Sequence, residues 1–158
     1  MRTTGNRYAL LFLAIVIALP LVAAPLGTSD MNAAGLSLDL NSVERKGNVL
    51  TVKWAVKNSG AENARVNFGL SGRLITTYLV DEENGTKYYS LTDKEGNNLA
   101  SEHVYIGSDT FGIEDYLKAG ETKKYWGKFP APPPAVKSIN IILTDAEPFE
   151  GIVITEKK

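Results

Sequence analysis

The sequence has no cysteine and a single histidine, His103, among its 158 residues. The absence of cysteine excludes disulfides, thiolate metal ligands, thiol nucleophiles and a lipid-modified cysteine. One histidine without cysteine cannot form a structural zinc site within one chain, and a lone histidine in a polar stretch is typical of a surface residue. The sequence therefore predicts no metal site and no cofactor, and any membrane tether must be peptide.

The sequence also lacks a run of like charge. It has 17 basic and 18 acidic residues, with a formal net charge of −1. Nucleic-acid-binding surfaces are usually marked by clustered basic residues, so we expect no nucleic-acid partner. The apolar content of 44% suffices for one domain with an appendage.

The appendage is N-terminal, where Arg2 and Arg7 precede the uncharged apolar run Tyr8–Ala24. A basic start before a short apolar core is typical of a secretory signal, but the run also reaches the lower limit of a membrane-spanning helix, about 17 to 25 residues. In either case the remainder is exported. A helix buried in the domain would need a polar face, which this run lacks. We predict an apolar helix within residues 1–29, as signal peptide or membrane anchor, and one domain over residues 30–158.

The processing site divides these two alternatives. Pro25 directly after Ala24 disfavours a cut there, whereas the small residues Gly27-Thr28-Ser29 permit one slightly later. The secreted alternative therefore predicts a mature chain that begins near Asp30. The anchored alternative predicts that residues 8–24 stay in the membrane.

Hydrophobic residues alternate with polar ones from Leu36 onward, which predicts half-buried strands at Leu36–Leu40, Leu50–Val56 and Val66–Leu70. Trp54 shares the inward parity of its strand and is expected in the core. Leu74–Val80 and Thr86–Leu91 flank Asn84-Gly85, a turn sequence typical of a β-hairpin.

In the second half, residues 107–120 are expected to be irregular. The following strand should bury Tyr125 and Phe129, and Pro130 to Pro134 should form a stiff connector to a strand over Ser138–Thr144. A last strand follows over Phe149–Thr155. Seven to nine short strands predict an all-β, antiparallel, immunoglobulin-like β-sandwich.

The stretch LKAGETKKYWGKFPAPPPAVKSINIILTDAEPFEGIVI, residues 117–154, resembles the closing half of an immunoglobulin-like (telokin-like) accessory domain of exported bacterial proteins. The shared features are a turn before an aromatic strand, a Phe-Pro-x-Pro-Pro break, an apolar strand and a final Pro-Phe strand. The chain departs from the pattern in having Ala119 in place of proline and no cysteine near Leu99–Ser101. The resemblance implies this fold and an extracytoplasmic location, generally without catalysis.

Candidate catalytic residues are few. Asp109, Glu114 and Asp115 could provide a carboxylate pair of the kind that glycosidases use, but no other residues of such a site accompany them. The loop Asp93–Asn98 is rich in oxygen ligands, yet its glycine and acidic spacing do not fit a calcium loop, so a solvated turn is the preferred interpretation. We predict that the protein is not an enzyme.

The aromatic residues Tyr88, Tyr105, Tyr116 and Trp126 are the candidate partner-binding residues, although framework packing is the usual role of strand aromatics. The sequence thus predicts a non-catalytic extracytoplasmic module that binds a protein or envelope component. The alternative is an accessory subunit of a membrane complex, with membrane contact through residues 8–24.

Overall fold

A computed structural model describes residues 24–101, the backbone of residues 104–105, and residues 109–158. The predicted N-terminal helix, apart from Ala24, and His103 lie outside these residues. The described chain forms twelve strands: β1 (Gly27–Asp30), β2 (Leu36–Lys46), β3 (Val49–Asn58), β4 (Ala64–Gly72), β5 (Tyr78–Asp81), β6 (Thr86–Tyr88), β7 (Val104–Tyr105), β8 (Thr110–Leu117), β9 (Thr122–Pro130), β10 (Ser138–Ile142), β11 (Phe149–Val153) and β12 (Thr155–Glu156).

The strands form three sheets, and every pairing except β12 with β2 is antiparallel. The first sheet has the order β1-β2-β3-β9 with β12 also beside β2, the second β11-β10-β5-β6, and the third β4-β8-β7. The all-β prediction is confirmed, and the arrangement is consistent with a β-sandwich. The predicted count of seven to nine strands is too low, because short edge strands such as β1, β7 and β12 carry little sequence signal.

The described ranges contain no helix that is long and apolar enough to cross a membrane.

Trp54 lies at the centre of the core, as its parity predicts, and is fully buried. Its ring centroid is 5.2 Å from that of Phe68 on β4, in an edge-to-face arrangement, and 6.2 Å from that of Tyr125 on β9. Phe129 is buried as well. These aromatic rings join the first sheet to the third, so packing between sheets depends on Trp54.

A β-bulge in β2 changes which residues face the core. The pairing of β2 with β3 shifts between Leu40 and Ser42, so Val43 and Arg45 point inward beyond it. Arg45 is buried, and its guanidinium donates hydrogen bonds to the Glu156 carboxylate on β12 and to the carbonyl of Val136. A buried guanidinium thus ties the C-terminal strand and the proline connector to β2.

The predicted hairpin is present as β5 and β6, with Gly85 in the turn at φ 63°. Its first strand is shorter than predicted, because the N–H groups of Thr76 and Thr77 both donate to the carbonyl of Gly69 on β4 rather than to β6 or β10, the strands that pair with β5. The proline connector also lies where expected, between β9 of the first sheet and β10 of the second.

The prediction of an irregular segment over residues 107–120 is wrong, because Thr110–Leu117 forms β8 and pairs with all of β4. Ile113 and Leu117 of this strand are buried, but Gly112, Glu114 and Asp115 interrupt the apolar alternation. Pairing with β4 therefore holds a strand whose own sequence pattern is weak.

Strand β1 lies across the predicted boundary between residues 29 and 30. Gly27–Asp30 pairs with Ser37–Leu40 of β2, and the N–H of Leu26 donates to the carbonyl of Leu40 at 2.6 Å. Ser29 Oγ accepts a hydrogen bond from the N–H of Glu147. A cut immediately before Asp30 would remove most of this strand.

Candidate functional site

Trp126 stands on the outward side of the first sheet, where the alternation of β9 places it opposite to buried Tyr125 and Phe129. Its exposed fraction is 38%, whereas that of Trp54 is 0%. The two tryptophans lie on neighbouring strands of the same sheet. Their exposure differs because successive side chains of a strand point to opposite faces, so that Trp54 faces the core and Trp126 faces outward. An exposed tryptophan on a rigid strand is a candidate contact residue.

Lysines surround Trp126 because β9 pairs with β3. Lys53 is its cross-strand partner, and Lys124 and Lys128 precede and follow it on the same side of β9. Lys57 of β3 is exposed and pairs with Thr122, two pairs beyond Ala55–Lys124 and therefore on the same side of the sheet. We call these five side chains, Trp126, Lys53, Lys57, Lys124 and Lys128, the lysine–tryptophan face.

The backbone of Trp126 is held on the edge of β9 by Ser101. The N–H of Trp126 donates to Ser101 Oγ at 2.8 Å, and its carbonyl accepts from the N–H of Ser101 at 2.9 Å. The ammonium of Lys128 lies 5.8 Å from the centroid of the Trp126 ring, within the range of a cation–π interaction. The tryptophan therefore has a fixed position and a cationic neighbour.

Acidic groups neutralise only part of the face. Glu44 on β2 bridges Lys53, at 3.2 Å, and Lys157, at 3.1 Å. The hydrogen bond from Lys157 is the largest influence on the pKa of the Glu44 carboxyl; burial opposes it, but the bond from Lys53 and the charges of both lysines add to it, and the pKa is lowered. Within the described part of the chain, neither Lys57 nor Lys124 has an ion-pair partner.

Neither Tyr88 nor Tyr116 joins this face. Tyr88 lies on β6 in the second sheet and packs against the core, where burial raises the pKa of its hydroxyl. Tyr116 on β8, in the third sheet, is 61% exposed and pairs across the strands with Arg65. The side chain of Tyr105 lies outside the described residues. Of the three predicted residues whose side chains the structure describes, only Trp126 thus has a lysine-rich setting.

The carboxylates of β8 are held by basic partners. Asp115 accepts hydrogen bonds from Lys123 Nζ at 2.7 Å and from Tyr125 Oη at 3.2 Å, and Glu114 pairs with Arg65. Partial burial raises the pKa of Asp115, but the bonds from Lys123, the Tyr116 N–H and Tyr125 outweigh it and keep this pKa below its usual value. Burial, followed by the charge of Asp115, raises the pKa of Tyr125. These contacts give each carboxylate a structural role.

The loop Asp93–Asn98 uses its carboxylate locally. Asp93 accepts hydrogen bonds from the backbone N–H groups of Glu95 and Asn97 and from the Asn97 side-chain amide. These bonds, led by the one from the Asn97 side chain, lower the pKa of Asp93. They form the solvated turn that the sequence favours. Across the residues that the structure describes, no group of three or more histidine, cysteine or acidic side chains is arranged to hold a metal ion.

The chain matches no family model, no curated protein and no solved structure. These comparisons leave the immunoglobulin-like resemblance as a prediction, so any function must be argued from the residues themselves. The feature that sequence analysis missed is the lysine set on β3. Its signal was present, since Lys53 and Lys57 share the outward parity of their strand, but only the pairing of β3 with β9 brings them beside Trp126.

Proposed function

We propose that this protein is a non-catalytic extracytoplasmic module, with an immunoglobulin-like β-sandwich that binds an envelope component through the lysine–tryptophan face. The observation that carries the proposal is the contrast between buried Trp54 and exposed Trp126 on adjacent, paired strands. Leaving a large aromatic side chain in water forgoes the free energy of its burial, which contact with a partner recovers. Export is supported by Arg2, Arg7 and the apolar run that follows them.

The immunoglobulin-like assignment is supported by two features. Trp54 fills the space between sheets, as the tryptophan of such sandwiches does, and the proline connector links strands of different sheets. A non-catalytic role is supported by the ion pairs that occupy Glu114 and Asp115.

A sedimentation experiment tests the binding proposal. The purified protein is mixed with washed cell envelopes, and the bound fraction is measured after centrifugation for the intact chain, Trp126→Ser and Val153→Ser. Val153 is a matched control, because it is 68% exposed but lies on β11 of the second sheet. We expect Trp126→Ser to lose most of the bound fraction and Val153→Ser to retain it. Equal binding by all three proteins would contradict the proposal.

A second candidate function is an accessory subunit of a membrane complex, held by an uncut apolar run. It is favoured by the hydrogen bond from the Leu26 N–H to the Leu40 carbonyl, which fixes the chain to the sheet two residues after the apolar run ends at Ala24. A retained anchor would hold the domain at the membrane surface and raise the local concentration of neighbouring membrane proteins. The mass of the intact protein from its host separates the candidates, because an N-terminus near Met1 supports the anchored subunit.

A further inference from the structure

The charge of the molecule is distributed unevenly, and its distribution indicates which kind of envelope component the lysine–tryptophan face would bind. Residues 1–23 hold two arginines and no acidic residue, so the remaining chain has 15 basic and 18 acidic side chains and a net charge of −3. On this mildly acidic domain the lysine–tryptophan face gathers four lysines on two paired strands. Such a local excess attracts an anionic partner even though the net charge does not.

The shape and chemistry of the face fit a flat surface. The side chains project from neighbouring strands of one sheet, which are about 4.8 Å apart. Tryptophan is favoured at the boundary between lipid and water, where its ring contacts apolar groups and its N–H stays hydrated. Lysines beside it can reach phosphate groups while their methylene stems lie along the surface.

The entry of the chain into the first sheet points to the same surface. Leu26 bonds to Leu40, Leu40 pairs with Trp54, and Trp54 pairs with Tyr125. The chain therefore enters the sheet level with the residue before Trp126 and three strand spacings away, about 14 Å. The apolar run ends just before this point, at Ala24. If the apolar run stays in the membrane, it holds the edge of the first sheet at β1 close to the bilayer surface.

We propose that the lysine–tryptophan face docks on the anionic surface of a lipid bilayer, with Trp126 at the headgroup level and Lys57, Lys124 and Lys128 against lipid phosphates. This assignment rests on the proposed function and names its envelope component. Charge complementarity requires an anionic occupant, and the position of the apolar run, which ends at Ala24, favours lipid over an acidic protein.

Trp126 itself can report docking. The chain has two tryptophans, and Trp54 is fully buried, so acrylamide reaches Trp126 selectively. The full chain is reconstituted into vesicles of phosphatidylcholine alone or of an equal mixture with phosphatidylglycerol, and the signal of the Trp126→Phe chain is subtracted. We expect the acrylamide quenching constant to fall severalfold in the mixed vesicles only. Brominated lipid should quench Trp126 in the same vesicles, and about 1 M salt should abolish both effects because the Debye length falls to about 3 Å.

Matched lysine variants test whether the face is responsible. The variant Lys57→Gln with Lys124→Gln and Lys128→Gln, which leaves the ion pair between Lys53 and Glu44 in place, should lose the protection of Trp126. The control replaces Lys87, Lys118 and Lys137, which are exposed and lie off β3 and β9, with glutamine. The control should keep the protection. Because each variant changes the net charge equally, a difference between them reports position.

Three outcomes would overturn the proposal: equal quenching constants in the two kinds of vesicle, protection that survives in the triple face variant, or equal protection by soluble polyphosphate with neutral vesicles. The last result would assign the face to polyanions rather than to a bilayer. Failure here is distinct from failure of the proposed function. If envelopes still bind the intact chain better than Trp126→Ser, the face binds another envelope component.

Discussion

The guanidinium of Arg45 donates a hydrogen bond of 2.7 Å to the carboxylate of Glu156, linking a residue that is 4% exposed to one that is 60% exposed. A second bond of 2.8 Å runs from Arg45 to the carbonyl of Val136. Strand β12 contributes only Thr155 and Glu156 to the first sheet, so this pair is its main side-chain attachment. The C-terminal strand and the proline connector thus share one buried donor.

We predict that Arg45→Ala lowers the free energy of unfolding by about 2 to 4 kcal/mol, because it removes a buried side chain and leaves the Val136 carbonyl without its donor. Glu156→Gln should cost about 1 kcal/mol, since water can reach the position. Urea unfolding of the purified variants, followed by tryptophan fluorescence, gives both values. If both variants lost the same small amount of unfolding free energy, the proposal that Arg45 holds β12 and the segment around Val136 to β2 would be contradicted.

The two tryptophans allow a comparison of a fully buried and a partly exposed side chain in the same sheet. Trp54→Ala should lower the free energy of unfolding by about 3 to 5 kcal/mol, because it leaves a cavity between Phe68 and Tyr125. Trp126→Ala should lower it by less, because 38% of this residue is already exposed to water in the folded protein. Denaturant unfolding monitored by circular dichroism measures both. Equal free energies of unfolding for Trp54→Ala and the intact chain would contradict the assignment of Trp54 to the core.

Asp115 should give stability that depends on pH. Because its pKa is lowered in the folded chain, its contribution is complete above the unfolded value of about 3.9 and is lost as pH falls through the folded value. Asp115→Asn should therefore be less stable than the intact chain at neutral pH, by about 1 kcal/mol, with the gap closing below about pH 4. Urea unfolding across this range is the measurement. A gap that is constant with pH would contradict the ion pair with Lys123.

Two possible mature chains differ in whether they keep strand β1, and we expect them to differ in thermal stability. A chain that begins at Asp30 loses three of the four residues of β1 and uncovers the edge of β2, whereas one that begins at Pro25 keeps the strand. We expect the shorter chain to melt several degrees lower. Thermal unfolding followed by circular dichroism compares them. Equal melting temperatures would mean that β1 adds nothing to the fold.

Local periodicity predicted the parts of this fold in which side chains alternate without interruption. It placed Trp54, Tyr125 and Phe129 inward, because every second side chain of a strand points to the same face of the sheet. It missed buried Arg45, because the bulge after Leu40 reverses the parity, and it missed β8, because pairing with β4 rather than its own alternation holds that strand.

The candidate site divides in the same way. Sequence analysis identified Trp126, and Lys124 and Lys128 share its strand and its outward parity. The lysines of β3 are far from them in sequence and become neighbours only through the β3–β9 pairing. Residues brought together by non-local pairing cannot be grouped from spacing alone.

The central claim, that Trp126 contacts the cell envelope, is tested most directly by site-specific photo-crosslinking in intact cells. A photoreactive phenylalanine derivative is placed at residue 126 or, as a control, at residue 153 of β11, and adducts are identified by mass spectrometry after illumination. The account predicts envelope adducts, lipid among them, from position 126 and few from position 153. Adducts of equal yield from both positions, or none from position 126, would contradict it.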